Sequence, residues 1–194
     1  MARALFIIDV QNDFVEGGAC AVFGGQAVAE GIASLLGGQM SQSYDYVVAS
    51  RDWHDPDSDN GGHFALAGVI PDYAETWPEH CVANTTGAAY HGAIDQTRID
   101  IHVRKGQGRP AFSIFEGITP SGSLLSDEMR SLDINEVDVV GIATDHCVFA
   151  AASDALDLGA KVRVLRHLTA GVNRETSEAA LTKLESRGVI IVQD

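Results

Sequence analysis

Two sets of side chains in this chain could do chemistry: Asp9, Lys105 and Cys147, and Asp52, His54, His63 and His80. Cys147 comes first because of its position. The β-branched run Val137-Asp138-Val139-Val140 reads as a buried strand. After Gly141-Ile142-Ala143-Thr144-Asp145-His146-Cys147, apolar residues recur at helical spacing (Val148, Ala151, Ala152, Ala155, Leu156), and Gly159 offers a stop. The spacing predicts that Cys147 lies in the first turn of a helix, capped by Thr144 or Asp145. There, unpaired N–H groups and the positive end of the helix dipole lower a thiol pKa. The same N–H groups can hold an oxyanion if the thiolate attacks a carbonyl. The alternative is a small buried cysteine filling a strand–helix corner, so the decision rests on its partners.

A cysteine nucleophile needs a base. Asp9 follows the apolar run Leu5-Phe6-Ile7-Ile8, which predicts a partly buried carboxylate with a raised pKa. Lys105, at the end of an alternating segment, would pull that pKa back and favour a thiolate. The competing reading is a buried Asp9–Lys105 ion pair that merely joins two strand ends. The second set runs Asp52-Trp53-His54, then His63, then Trp77-Pro78-Glu79-His80-Cys81. Three imidazoles and a carboxylate match the donor preferences of Zn²⁺, Fe²⁺ or Mn²⁺ and leave positions open for water or substrate. Histidines in a polar loop are often only solvated; three beside an aspartate in the loop leaving one strand favour a divalent metal. Cys81 is read as structural.

Alternating strands and helices must position these groups. Strands are expected at Arg3 to Val10, Tyr44 to Ser50, Ile99 to Lys105, Glu136 to Ala143, Lys161 to Leu168 and Val189 to Val192. Helices are expected at Gln26 to Gln42, Leu124 to Leu132, after Cys147, and at Asn173 to Arg187. Between Arg51 and about Arg98 the chain is rich in Gly, Asp, Asn, His and Pro, and a loop that long is more often functional than idle. The pattern predicts an α/β fold, three-layer α/β/α, with a six-stranded mainly parallel sheet ordered 3-2-1-4-5-6. Chemistry in such sheets gathers beyond the carboxyl ends of the strands at the switch in strand order. Four successive strands deliver Asp9, Asp52, Lys105 and Cys147 to that edge, with Asp9 and Cys147 flanking the switch.

Composition narrows the classes. The 194 residues suit one domain, 1–194, with no repeat or linker. A net charge of −14 argues against nucleic-acid binding, and no apolar run approaches the roughly 20 residues of a membrane span. The three cysteines, Cys20, Cys81 and Cys147, are too few and too scattered for a disulfide framework, which points to a reduced, cytoplasmic protein. The expected partner is a small-molecule substrate, with homo-oligomerisation left open.

Seven segments together resemble the nicotinamidase branch of the isochorismatase-like cysteine hydrolases. They are Ile8-Asp9-Val10-Gln11-Asn12-Asp13-Phe14, Asp52-Trp53-His54, His63-Phe64, Trp77 to Val82, Val103-Arg104-Lys105-Gly106, Phe112 to Gly117, and Gly141 to Val148, in the family's order over almost the whole chain. The resemblance implies a catalytic triad of Asp9, Lys105 and Cys147 and one divalent metal, Zn²⁺ first, with Fe²⁺ or Mn²⁺ as alternatives. Its ligands would be Asp52, His54, His63 and His80. It implies that Phe14, Trp77 and Phe112 sandwich a pyridine ring whose nitrogen takes a metal position. It further implies an oxyanion hole from the N–H groups of Ala143 and Cys147, with a cis peptide between Ile142 and Ala143. The activity implied is hydrolysis of nicotinamide, and of pyrazinamide, through a thioester.

Rival readings make different demands. A related amidase could act on another small aromatic or N-carbamoyl amide. A hydrolase using metal-bound water would leave Cys147 structural, and a silent binding module would lack a triad member, which this chain does not. A flavodoxin-like binder would need a phosphate-cradling loop after the first strand, and Gly17-Gly18 comes too late without G-x-G-x-x-G spacing.

Overall fold

The computed structural model describes residues 1–193. Its centre is a strand that could only be buried on both faces: β1 (Ala2–Ile8), whose last five residues are all inaccessible to solvent. β2 (Tyr46–Asp52), β3 (Ile101–Lys105), β4 (Ile134–Ile142), β5 (Lys161–Ala170) and β6 (Ile190–Val192) complete a sheet ordered β3-β2-β1-β4-β5-β6. Every pairing is parallel, so the expected order holds and "mainly parallel" becomes wholly parallel. The helices α1 (Gly25–Gly37), α2 (Leu125–Ser131), α3 (Phe149–Asp157) and α4 (Arg174–Ser186) are the crossovers. Two buried clusters divide along the strand alternation. Leu5, Ile7 and Ala49 pack with Val28, Ile32 and Leu36 of α1, while Phe6, Ile8 and Val48 pack with Met129, Ala151, Ala155 and Leu184.

Boundaries moved where backbone chemistry intervened. The first helix stops at Gly37 rather than Gln42; Gly37-Gly38 breaks it, and Gln39–Ser43 form a separate 3₁₀ turn. β2 runs to Asp52, which therefore ends the strand instead of lying beyond it. β1 ends at Ile8, since Asp9 takes the left-handed conformation (φ 48°). The close seat beneath it is supplied by Gly141, paired with Ile8: a Cβ there would lie 2.1 Å from the Ile8 carbonyl oxygen. Only glycine fits.

The long segment after β2 holds no helix or strand beyond the 3₁₀ turn Gln96–Arg98, and it is organised by isolated bridges and polar clamps. His54 pairs with Val82, Phe64 with Trp77, and Gln11 with Tyr90. Gln11 is fully buried; its amide accepts from the Asp52 N–H at 2.8 Å and donates to the Asp52 and Ala88 carbonyls at 2.9 and 3.0 Å. Asp13 accepts the Cys81 N–H at 2.7 Å, holding that residue at a φ of 47°. The Asp-Val-Gln-Asn-Asp-Phe stretch is thus a loop organiser as well as a strand end.

Candidate active site

The four strand ends meet in one buried knot. Asp9 and Lys105 are wholly buried, and Asp52 and Cys147 nearly so. The Lys105 ammonium lies 2.9 Å from Asp9 Oδ2, makes a second ion pair with Asp52 Oδ1, and sits 3.6 Å from Cys147 Sγ. It also donates to the Ala111 carbonyl at 3.2 Å. Side-chain donor atoms of Asp9, Asp52 and Cys147 fall within 4.8 Å of one another. Ser50 Oγ donates to Asp9 Oδ1 at 2.7 Å, while Oδ2 faces Lys105 with no aligned hydrogen-bond donor and stays open to a proton. A buried carboxylate oxygen whose one ion-pair partner is a shared ammonium asks for a functional explanation.

Burial pushes the Asp9 pKa above the usual carboxylate range, and the Lys105 charge only partly offsets it. Burial acts the same way on Asp52, but Lys105, His54 and His80 outweigh it and hold that carboxyl well below its ordinary value. Two carboxylates side by side are thereby set apart, one poised to take a proton and one kept ionised.

Two expectations for Cys147 need correction. It does lie at the strand-to-helix handover, in a single π turn (Thr144–Val148) that leads into α3. However, the turn begins at Ala143 with no side-chain cap, because Asp145 is engaged elsewhere: it accepts the Val172 and Asn173 N–H groups and the Thr176 hydroxyl. The thiol pKa is raised, not lowered. Burial is the largest cause; Lys105 opposes it, and Asp9 and Asp52 add to it. A helix terminus acts over one turn, whereas desolvation acts on the whole group. The thiol therefore depends on a base for its deprotonation. The Ile142–Ala143 peptide is cis, as the resemblance implies.

The second set also converges. His54, His63 and His80 present ring nitrogens within 4.8 Å of one another, and all three are buried. Asp52 Oδ2 lies 3.7 Å from both His54 Nε2 and His80 Nε2. The outward nitrogens are fixed: His54 Nδ1 donates to the Gly106 carbonyl at 2.8 Å, and His80 Nδ1 to the Pro78 carbonyl at 2.7 Å. With Nδ1 committed as the donor, Nε2 is the ring nitrogen left for a metal in both residues. His54 Nε2 is buried without any partner, and His63 Nδ1 likewise. Burial, with His54 and His80 beside it, pushes the His63 pKa down to about 3, so the ring is neutral at any working pH. Orphaned ring nitrogens gathered beside a carboxylate fit a divalent cation held by Asp52, His54, His63 and His80.

Gly106 supports this centre directly. At its φ of +83° a Cβ would lie 2.6 Å from His54 Cε1 and 2.9 Å from Nδ1. Gly106→Ala is expected to displace the ring and weaken metal retention about 10–100-fold, as loss of an outer support does. Metal content by mass spectrometry across a chelator titration reads this out; a variant retaining metal as wild type does would refute it.

Phe14, Trp77 and Phe112 line one cavity together with Asp52, His63, His80, Ala143 and Cys147. The Phe14 ring is 5.2 Å from His80, and Phe112 is 6.0 Å from His63. Sequence reasoning missed His146, which lines the same cavity, edge-on to Trp77 at 4.9 Å and stacked on Phe112 at 5.9 Å. Adjacency to Cys147 was the available signal. It also missed Cys20, Val22 and Val172 on the cavity wall, which no spacing would have flagged.

Comparison with known proteins finds relatives that match over the whole chain. The family model described as "Isochorismatase domain" matches residues 3–193. A nicotinamidase/pyrazinamidase of Mycobacterium tuberculosis is 45% identical over 190 residues, spanning 98% of each chain. The structure of a pyrazinamidase of Pyrococcus horikoshii in complex with zinc superposes with a TM-score of 0.82 at 33% identity, covering all of both chains. That of PnC1 from L. infantum in complex with nicotinate gives 0.83 at 32% identity, covering 99% of this chain and 92% of the other.

Proposed function

This chain belongs to the isochorismatase family, and from that premise we propose that it is a metal-containing cysteine amidohydrolase that converts nicotinamide to nicotinate and ammonia. Pyrazinamide, of the same shape, is the second substrate. The observation that carries the reading is Lys105, whose one ammonium touches Asp9, Asp52 and the Cys147 sulfur and so joins a nucleophile–base pair to a three-histidine centre.

In the proposed reaction, Asp9 Oδ2 accepts the thiol proton and Cys147 Sγ attacks the carboxamide carbon. The N–H groups of Ala143 and Cys147 hold the resulting oxyanion. The C–N bond breaks as Asp9 returns the proton to nitrogen, releasing ammonia and leaving a thioester on Cys147. Asp9 then takes a proton from water, which attacks the thioester carbon; nicotinate leaves and the thiol is restored. Lys105 holds Asp9 and balances charge through each step. Phe14, Trp77 and Phe112 keep the pyridine ring planar against the centre and exclude water. Asp52, His54, His63 and His80 would hold a divalent metal, which would supply an anchor for the ring nitrogen and polarise a water.

Among the described residues no helix is long and apolar enough to cross a membrane. The three cysteines are unpaired, which supports a reducing, cytoplasmic setting and a single domain that needs no disulfide.

The test is ammonia release from nicotinamide before and after chelation and on restoring Zn²⁺, Fe²⁺ or Mn²⁺ singly. Release is expected to fall at least about tenfold on stripping and to return with the preferred ion. Activity indifferent to stripping would remove the metal from the reading. No release from fully loaded protein, with hydrolysis of an N-carbamoyl amide instead, would move the substrate to the related amidases.

A further inference from the structure

Strand alternation gives the β2–β3 ribbon two unlike faces. One carries Ser50, Asp52 and Lys105 into the active centre. The other carries Arg51 and Arg104, which are direct cross-strand partners in the parallel register. Like charges placed opposite one another are destabilising. Here no carboxylate lies within 4.0 Å of either guanidinium among the described residues, although the chain's net charge is −14. Aromatic rings hold both groups instead. The Arg51 guanidinium lies 4.7 Å from the Trp53 ring centre and 4.5 Å from Tyr90, and Arg104 lies 4.2 Å from Trp53. Arg51 Nε is buried with no hydrogen-bond partner. His102, two residues before Arg104, meets the Tyr90 hydroxyl at 3.1 Å and adds a third nitrogen base to the face.

We infer that this face is a binding site for a phosphate group, distinct from the active centre. Each guanidinium offers a planar fork that matches the oxygens of a tetrahedral dianion, and the two side chains leave the same face of neighbouring strands. Stacking on Trp53 and Tyr90 fixes both side chains in advance, so less rotamer freedom is lost on binding. A bound dianion would replace repulsion between the pair with charge-assisted hydrogen bonds. The phosphate could be free or carried by a phosphorylated metabolite; the recognising chemistry is the same.

Calorimetric titration of the metal-loaded protein with inorganic phosphate, at ionic strength held constant with sodium chloride, tests the site. Saturable binding is expected in wild type and at least tenfold weaker binding in Arg104→Gln and Arg51→Gln. Any phosphate taken up by the metal centre would be unchanged by these substitutions, so the difference isolates the arginine face. Arg104→Gln should melt no lower than wild type in phosphate-free buffer, because it removes the like-charge pair. Arg104→Lys keeps the charge without the fork and provides a second variant, expected to bind phosphate more weakly than wild type. A parallel titration with adenosine 5′-monophosphate distinguishes the sources: tighter binding than phosphate supports a phosphorylated metabolite, and equal binding supports the free ion. Identical phosphate binding in wild type and Arg104→Gln, or only a non-saturable response, would overturn the inference.

Discussion

Cys147→Ala should lower the turnover of nicotinamide by at least about ten-thousandfold while leaving the metal content unchanged. The size follows from the role: a nucleophile that forms the covalent intermediate has no substitute, and members of such a unit do not back one another up. The second half follows from position. Cys147 Sγ approaches Lys105, Asp9 and Asp52, but the three imidazoles gather among themselves and with Asp52 Oδ2. Losing a small buried sulfur should cost no more than about 1 kcal/mol of stability, so an inactive protein would still be a folded one. The measurement pairs single-turnover ammonia release with metal analysis. An active, metal-replete Cys147→Ala protein would hand the chemistry to a metal-activated water and make the cysteine a packing residue.

Lys105→Met should be nearly as damaging to activity, and it should also destabilise the fold by about 3–5 kcal/mol, the cost of leaving buried charge without its partner. The effect is large because one ammonium serves two buried carboxylates. The pH dependence distinguishes this cause from a simple packing defect. Asp9 already titrates above its ordinary range because of burial, with Lys105 opposing the rise, so removing Lys105 raises it further. A group with a raised folded-state pKa loses stability as pH climbs from its unfolded value through its folded one. Asp52, held low partly by Lys105, contributes stability above its unfolded pKa, and that contribution goes too. Both signs agree: the deficit of the variant relative to wild type should be small near pH 3 and grow towards pH 7. Urea unfolding at several pH values measures it, and a deficit independent of pH would dismiss the ion-pair explanation.

Much of this site could be read before any coordinates, for identifiable reasons. Leu5 to Ile8 are apolar without interruption because β1 is covered on both faces, and the same pattern fixed Asp9 at the strand's end. The alternation of strands with helices then foretold which edge of the sheet would receive Asp52, Lys105 and Cys147. Groups whose behaviour depends on distant neighbours were less legible. The ion pair of Lys105 with Asp52 joins residues 53 apart, and nothing local to either announces it. The direction of the Cys147 shift was misjudged because a dipole can be inferred from the turn, while burial depends on the whole core. The cap failed similarly: Asp145 has the right side chain but spends it on the chain after β5. His146 reaches the cavity from the single π turn and Cys20 from the loop before α1, and neither leaves a periodic trace.

The three imidazoles do not share one origin. His54 leaves the end of β2 and is braced by Gly106, whereas His63 and His80 ride on the long segment that isolated bridges and polar clamps hold in place of helix or strand. All three are at most 3% exposed and meet solvent only through the small cavity that His63 and His80 line. That cavity leaves no room for a multidentate chelator to wrap an ion while the segment stays in place. Stripping must wait for the segment to open. Its rate should therefore rise with chelator concentration only at first and then level off at the opening rate, whichever chelator is used. That ceiling would be a clock for the motion of this segment, obtained from a metal indicator and a stopwatch.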